Sequence, residues 1–227
     1  MKLCYNINNK GGKNMLLGKF LVGSNNYNLD LPESDKDYKG VVMPNFTDLY
    51  FNKTLNAQID EHKSLVDYRF FCQKLAKANP NYVEMLFSKE KEFLDDGFIK
   101  IFDLARETLP SFLRLNWDNF VLATLSMARN SLKRTDQESK MVARAVFLCH
   151  LLERAYEQNG ELTDSDWTDH NFRTIRTDKL AFKEAKEQLP SLLSFNKKLL
   201  PKNSDFELVN TFNKEVELYF RDYLTKH

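Results

Sequence analysis

The chain is poor in the residues that signal disulfide or zinc scaffolds. It has three cysteines in 227 residues, Cys4, Cys72 and Cys149, far apart and odd in number. No CxxC pair or Cys/His cluster occurs, so neither a zinc site nor a disulfide framework is expected. Free thiols of this kind fit a reducing, cytoplasmic setting. The chain also lacks an apolar run near the roughly 18 residues of a membrane span. The short run of MLLGKFLV is interrupted by Lys19, and the N-terminus lacks the layout of a secretory signal, so no membrane association is expected. Nor is there an excess of either charge. With 33 Lys+Arg against 32 Asp+Glu, the chain does not coat a polyanion by bulk charge, although a local basic patch is compatible with that balance. Glycine and proline are sparse, at seven and six residues, and mark turns individually.

Bulk for a core is plentiful: eighteen Phe, nine Tyr and 42% hydrophobic residues, with 29% charged. The pattern predicts strands first. Leu17–Val22 is a short apolar run ending at Gly23, Asp35–Met43 alternates and is closed by Pro44, and Ile59–Val66 is a third candidate. Residues 45–57 are compatible with a short helix. Helices follow. One runs from Tyr68 to about Ala78 with Asp67 as N-cap; another starts at Pro80 after the Asn79–Pro80 break. A longer one is expected over 89–108, stopped by Pro110, and others over 117–133 and from Thr135, where Thr135 and Glu138 form a capping-box pattern. Gly160 suits the stop of that helix. Residues 161–171 read as an acidic loop. A helix over 179–189 is expected to end at Pro190, and a last one to follow the Ser204/Glu207 pattern. Strands followed by a run of helices argue an α+β fold with helices packed on a small mixed sheet.

One stretch, GSNNYNLDLPESDKDYKGV from Gly23 to Val41, carries more information than its neighbours. Asp35 and Asp37 stand on alternate positions of a strand and so face one side. Two like charges held together repel unless a cation gains from them. Mg²⁺ prefers oxygen ligands and is commonly held by one or two carboxylates plus substrate phosphates. Gly23, with no side chain, lets a backbone approach a ligand closely. Ser24 adds a hydroxyl and an N–H at the turn that follows, where converging amides suit an anion.

The stretch resembles the polymerase-β superfamily of nucleotidyltransferases: Gly-Ser, a spacer of about ten residues, then Asp-x-Asp. More closely, it is similar to the predicted nucleotidyltransferase branch linked to RNA repair, sharing Gly23, Ser24, Tyr27, Leu29, Pro32, Ser34, Asp35, Asp37, Gly40 and Val41. It departs at Asn28, where that branch prefers Gly; Asn is the next best residue for a left-handed backbone. The segments DYRFFCQKLAKANPNYVEMLFS, KMVARAVFLCHLLERAYEQNGEL and FRTIRTDKL resemble later parts of the branch, with Arg144 standing where it usually has histidine. The resemblance spans about Leu16–Leu189.

The resemblance implies a catalytic core over 1–88 and a helical domain over 89–227 completing the cleft. It implies Mg²⁺- or Mn²⁺-dependent transfer of a nucleoside monophosphate from an NTP to a hydroxyl of RNA, protein or a small molecule, with pyrophosphate released. The alternative is a weak or inactive nucleotide- or RNA-binding module of the same fold. Asp35 and Asp37 are the implied metal ligands, and Gly23 and Ser24 the phosphate contacts. A third carboxylate is implied on a strand about nine residues before a helix phenylalanine. Counting back from Phe71 reaches His62, so its neighbours Glu61 and Asp60 are the candidates, with Asp67 behind them because an N-cap explains it as well. Lys140 and Arg144, four apart on one helix face with Arg154 on roughly the same stripe, suit a triphosphate or a solvated surface equally. Glu84, inside the apolar YVEMLF run, is expected to be a buried carboxylate serving a structural or a site partner. Tyr27 is expected to pack beneath its loop, and His150 to lie in or near the core.

Overall fold

The computed structural model describes residues 14–134, 136–168, 170–195, 200 and 204–226. The fold is α+β. Five strands form one mixed sheet: β1 (Met15–Val22), β2 (Asp37–Met43), β3 (Asn56–Asp60), β4 (Lys63–Asp67) and β5 (Lys91–Phe93), in the spatial order β3-β4-β2-β1-β5. β2 and β4 are parallel; the other neighbours are antiparallel. Among the described residues the helices are α1 (Phe46–Tyr50), α2 (Tyr68–Ala76), α3 (Pro80–Leu86), α4 (Asp96–Leu115), α5 (Trp117–Ser131), α6 (Glu138–Glu157), α7 (Asp164–Thr168), α8 (Thr174–Thr177), α9 (Lys179–Leu192) and α10 (Phe206–Lys226). None of them is long and apolar enough to cross a membrane.

One face of the sheet carries the main core. Phe20 stacks on Phe102 at 5.1 Å and meets Phe93 and Phe98 edge-on. Phe71, Val41, Val66 and the buried faces of α4, α5 and α6 continue the same cluster. Among the described residues a second, smaller cluster joins Leu16, Val42 and Leu65, with Leu55 against them. Burying these side chains on one face is worth roughly 1.5–3 kcal/mol each. That drive explains why so many helices share one side.

Several boundaries differ from the sequence-based expectation, each for a visible reason. The strand expected over 59–66 is two strands around a tight turn at Glu61–His62, where Asp60 accepts the His62 N–H at 2.8 Å. The helix expected from residue 89 begins at Asp96. Asp95 caps it by accepting the Phe98 N–H at 2.9 Å, and Lys91–Phe93 instead pairs with β1. Pro110 and Pro190 lie inside α4 and α9 rather than ending them. A proline within a helix costs about 3 kcal/mol. In α4, burial of Leu109, Phe112 and Leu113 on either side of Pro110 outweighs that. The acidic loop contains α7, held where Asp166 takes both the N–H and the hydroxyl of Thr163, and Trp167 stacks on Phe87 at 5.4 Å. Asp205, not Ser204, caps α10, accepting the Leu208 N–H at 2.9 Å. Thr135 lies outside the described residues; α6 starts at Glu138, without a side-chain cap. Gly160, at φ +87°, follows that helix as expected.

Candidate functional site

β1 ends at Val22, opposite Asp37 in the β1–β2 register. The chain then turns through a single 3₁₀ turn, Gly23–Asn25. Gly23 takes φ +76°, and a Cβ there would stand 3.4 Å from Asp37 Oδ2. A side chain would therefore strain the backbone and lie in van der Waals contact with the carboxylate. The turn is closed by Asn26 and Tyr27 N–H groups donating to the Gly23 carbonyl at 3.0 and 3.2 Å. Ser24 is buried. Asn28 has φ 56°, the left-handed conformation expected where a glycine would be easiest. Tyr27 packs beneath the loop, 1% exposed and stacked on Phe147 at 4.5 Å.

The loop is tied from three sides. Asn26 Oδ1 accepts the Lys89 N–H at 3.0 Å, Lys89 Nζ donates to the Asn25 carbonyl at 3.0 Å, and Arg176 donates to the Leu29 carbonyl. Beneath it lies Glu84, 4% exposed. Its carboxylate accepts the Gly23 N–H and sits near Arg144. Burial pushes the Glu84 carboxyl up to about 8, opposed by Arg144 and the Gly23 N–H. Glu84 Oε2 has no hydrogen-bond partner, and neither has Arg144 Nε. Glu84 is thus both a buried structural acid and a neighbour of the candidate site.

Asp37 opens β2, whereas Asp35, expected within the strand, lies two residues before it; their side chains are 44% and 76% exposed. Between them lies His62. Its Nδ1 is 3.1 Å from Asp37 Oδ1 and its Nε2 is 3.7 Å from Asp35 Oδ2. The parallel pairing explains this. Tyr38 pairs with Lys63 and donates to the His62 carbonyl at 2.8 Å, so His62 and Asp37 are neighbours on one face. The Asp37 carboxylate, then Asp35, raise the His62 pKa above its usual value.

The two candidate third carboxylates sit on the same hairpin turn. Asp60 pairs with Lys63 at 3.3 Å. Glu61 is exposed and adds to the negative charge at His62. Asp67 stands at the far end of β4, about 17 Å along the strand from His62. Both of its oxygens serve the start of α2: it accepts the Arg69 N–H at 2.8 Å and pairs with the guanidinium at 2.7 Å. The N-cap reading accounts for it.

A basic wall faces the aspartates. Lys140, on α6, has its pKa lowered by burial and by Arg176, Arg134 and Arg144, while Asp37 partly offsets this. One turn further along α6, Arg144 neighbours both Glu84 and Lys39. Arg154 lies farther along and pairs with the buried Asp166 at 3.6 Å. His150 is half-buried on the α6 surface, not in the core; it pairs with Glu153 at 2.9 Å and stacks on Phe172.

Three site residues were not anticipated. His62 appeared only as a counting position. Lys39 continues the Asp35/Asp37 alternation, so period 2 alone places it on their face. Burial, then Arg144, brings its pKa down to about 8. Its Nζ donates to the Asn81 carbonyl at 3.4 Å and lies 4.8 Å from the Tyr82 ring centre. Arg176 comes from a distant helix, and no local pattern points to it.

Among the described residues no three His, Cys, Asp or Glu side chains form a ready-made metal cage. Asp35 and Asp37 flank the His62 imidazole, and both carboxylates are partly exposed, as oxygen ligands for Mg²⁺ or Mn²⁺ must be; such hard ions take part of their coordination from substrate phosphates and water. The arrangement therefore offers carboxylates for a cation, a glycine turn for an anion and a facing set of cations for a polyphosphate. No known protein-family model matches the chain, and neither does any curated protein.

Proposed function

We propose that this site binds a nucleoside triphosphate with a divalent cation and transfers the nucleoside monophosphate to a hydroxyl. The observation that carries the proposal is the position of Gly23: a Cβ there would stand 3.4 Å from the Asp37 carboxylate, Lys140 faces that carboxylate, and Arg144 lies between Lys140 and the Glu84 that holds the Gly23 N–H. Phosphate-binding backbone, metal-type acids and charge-neutralising bases thus converge from β1, β2 and α6.

Asp35 and Asp37 would hold Mg²⁺ or Mn²⁺. Bound there, the ion supplies charge neutralisation for the phosphates and the leaving group. The chain's own groups do the rest. The Gly23–Ser24 turn seats phosphate oxygens. Lys140 and Arg144 offset the charge that grows on the departing pyrophosphate. Glu84 holds the Gly23 N–H and fixes the turn from below. The acceptor oxygen forms the new bond to the α-phosphorus as the α–β bridging bond breaks, and the hydroxyl proton leaves for a nearby base or water. Positioning and electrostatics supply most of such catalysis.

One observation favours a second reading, a binding module with little turnover. The residue facing Asp37 from the β3–β4 turn is His62, an imidazole where the resemblance implies a carboxylate. Incubation with labelled NTP, Mg²⁺ or Mn²⁺ and acceptor hydroxyls separates the two. Pyrophosphate release that disappears in Asp35→Ala and Asp37→Ala supports transfer. No release, with NTP still raising the melting temperature, supports the module. Neither release nor a thermal shift sinks both.

A further inference from the structure

β3 is an edge strand, the first in the order β3-β4-β2-β1-β5. An edge leaves one row of backbone N–H and C=O groups unpaired, a template for another strand. Its pairing with β4 shows which groups these are. Leu55 turns its carbonyl inward and accepts the Asp67 N–H at 2.7 Å. Alternation therefore turns the backbone groups of Asn56 and Gln58 outward. The usual guards of an edge are weak here. Asn56–Asp60 contains neither proline nor lysine, its charge is Asp60 alone, and its bulge lies beyond Gln58.

Beside the start of the strand stands an exposed aromatic group. Phe46, Tyr50 and Phe51 are 75%, 74% and 61% exposed, with successive ring centres 6.4 and 5.1 Å apart. With roughly 200 Å² for each such side chain, the group shows water about 400 Å², the size of a patch that commonly marks an interaction site.

We infer that β3 pairs antiparallel with β3 of a second copy of this chain, and that the aromatic group flanks the interface. The inference does not depend on the transfer reading. The strand's own sequence, KTLNAQIDE from Lys53 to Glu61, names the occupant. Centred on Ala57, the pairing sets Asn56 opposite the partner's Gln58, and these outward residues exchange their backbone hydrogen bonds. On one face Leu55 meets the partner's Ile59, and Ala57 meets the partner's Ala57. Ala57 pairs with Leu65, and Ile59 shares a groove with it, so this face carries the Leu16–Val42–Leu65 cluster on into the second copy. On the other face Thr54 offers its hydroxyl to the partner's Asp60. At each end the exposed Lys53 meets the partner's exposed Glu61. Read against its own reverse, the segment thus matches apolar to apolar, amide to amide and base to acid.

The register is specific. Centred on Gln58 instead, the same strands oppose Lys53 to the partner's Lys63 and Leu55 to the partner's Glu61. A foreign peptide would use the same backbone groups, but a second copy brings this match of side chains with it, twice over in a two-fold contact. The aromatic group precedes Lys53 and so falls towards the partner's β3–β4 turn. Two such groups supply about 800 Å², and the paired strands bring the total to the roughly 1,200 Å² of the smaller stable interfaces.

The test is analytical ultracentrifugation of the full chain from about 1 to about 100 µM, the range of modest affinities. The mass should rise with concentration from 26.7 kDa towards twice that value. Lys53→Glu sets acid against acid at both ends, and Glu61→Lys sets base against base. Each alone should weaken self-association about tenfold at low salt. An equimolar mixture of these two variants should restore it, because every end then meets the opposite charge. Gln58→Pro removes an outward N–H at an edge, where proline is tolerated, and should abolish the dimer. Tyr50→Ser with Phe51→Ser should weaken it at least tenfold, and circular-dichroism melts report whether each variant is folded. A monomer across the whole range would overturn the interface, as would a dimer left intact by the folded Gln58→Pro and Tyr50→Ser/Phe51→Ser chains. A mixture no tighter than its separate charge variants would overturn the antiparallel register. Mass growing without limit would replace the two-fold pair by open edge-to-edge assembly and overturn it too. None of these outcomes touches the transfer reading, which pyrophosphate release decides separately.

Discussion

Single residues decide the chemistry at the mouth of the sheet. Gly23→Ala puts a Cβ on a backbone at φ +76° and 3.4 Å from Asp37 Oδ2. A strained conformation of this kind costs about 1–3 kcal/mol. Thermal melts should show a loss of several degrees, with loss of the NTP-induced shift. Glu84 gives a pH signature. Its carboxyl titrates at about 8 in the folded chain and near 4.3 when unfolded, so the folded state holds the extra proton between those values. Stability from this group is therefore present below about pH 4.3 and is lost as pH rises towards 8. Glu84→Gln removes that slope, and its melting temperature relative to wild type should climb from pH 5 to pH 8.5; parallel curves would contradict the burial argument. His62 sets the third residue-scale expectation. In the transfer reading His62→Asp restores a carboxylate opposite Asp37 and should raise pyrophosphate release several-fold, measured beside His62→Ala. Asp37 was legible from local strand alternation; Asp35 precedes β2, and its nearness to Asp37 comes through the His62 that both flank. His62 was not legible, because its place depends on parallel pairing between β2 and β4, a register that no local pattern states.

Elements follow their caps and their burial more than their prolines. Asp67 was readable as an N-cap because Asp before an apolar helical run is a local signal. The fold adds a reason why it is poorly placed as a third metal ligand: both oxygens are engaged by Arg69 and the start of α2, at the wrong end of β4. Asp67→Ala removes the cap and leaves the Arg69 guanidinium short of a partner; the two effects together should cost about 2 kcal/mol, read as a lower denaturation midpoint. Pro110 shows the opposite case. A proline in sequence reads as a stop, yet α4 runs through it to Leu115. Pro110→Ala restores a backbone donor in the middle of that helix and should raise stability by about 1 kcal/mol, read as a higher denaturation midpoint. The same competition explains β5. Lys91–Phe93 reads as helix by composition, but the free edge of β1 offers it hydrogen bonds and places Phe93 on Phe20 and Phe102.

At the scale of the whole molecule, the candidate site is an assembly of distant segments. The Gly23–Ser34 loop is held by Glu84 of α3, Lys89 and Arg176, while Tyr27 is sunk against Phe147 and Trp167. Docking α6 on α5 and α9 aims Lys140 and Arg144 across the cleft at β2. By itself the sequence determined what alternation and caps can express: an α+β order of elements, Asp37 on the strand that Pro44 follows, the left-handed Asn28 and the helix starts at Asp67 and Asn79. It also determined the free, scattered thiols; Cys72 and Cys149 are unpaired and buried, with burial holding both thiols up near 12. Tertiary structure alone decided that an imidazole lies between Asp35 and Asp37, and that Lys39 and Arg176 join the basic wall. The physical reason is range. Side-chain period and capping act within a few residues, whereas strand pairing and helix docking join positions that the chain keeps far apart, and their geometry is set by which apolar faces must be buried together.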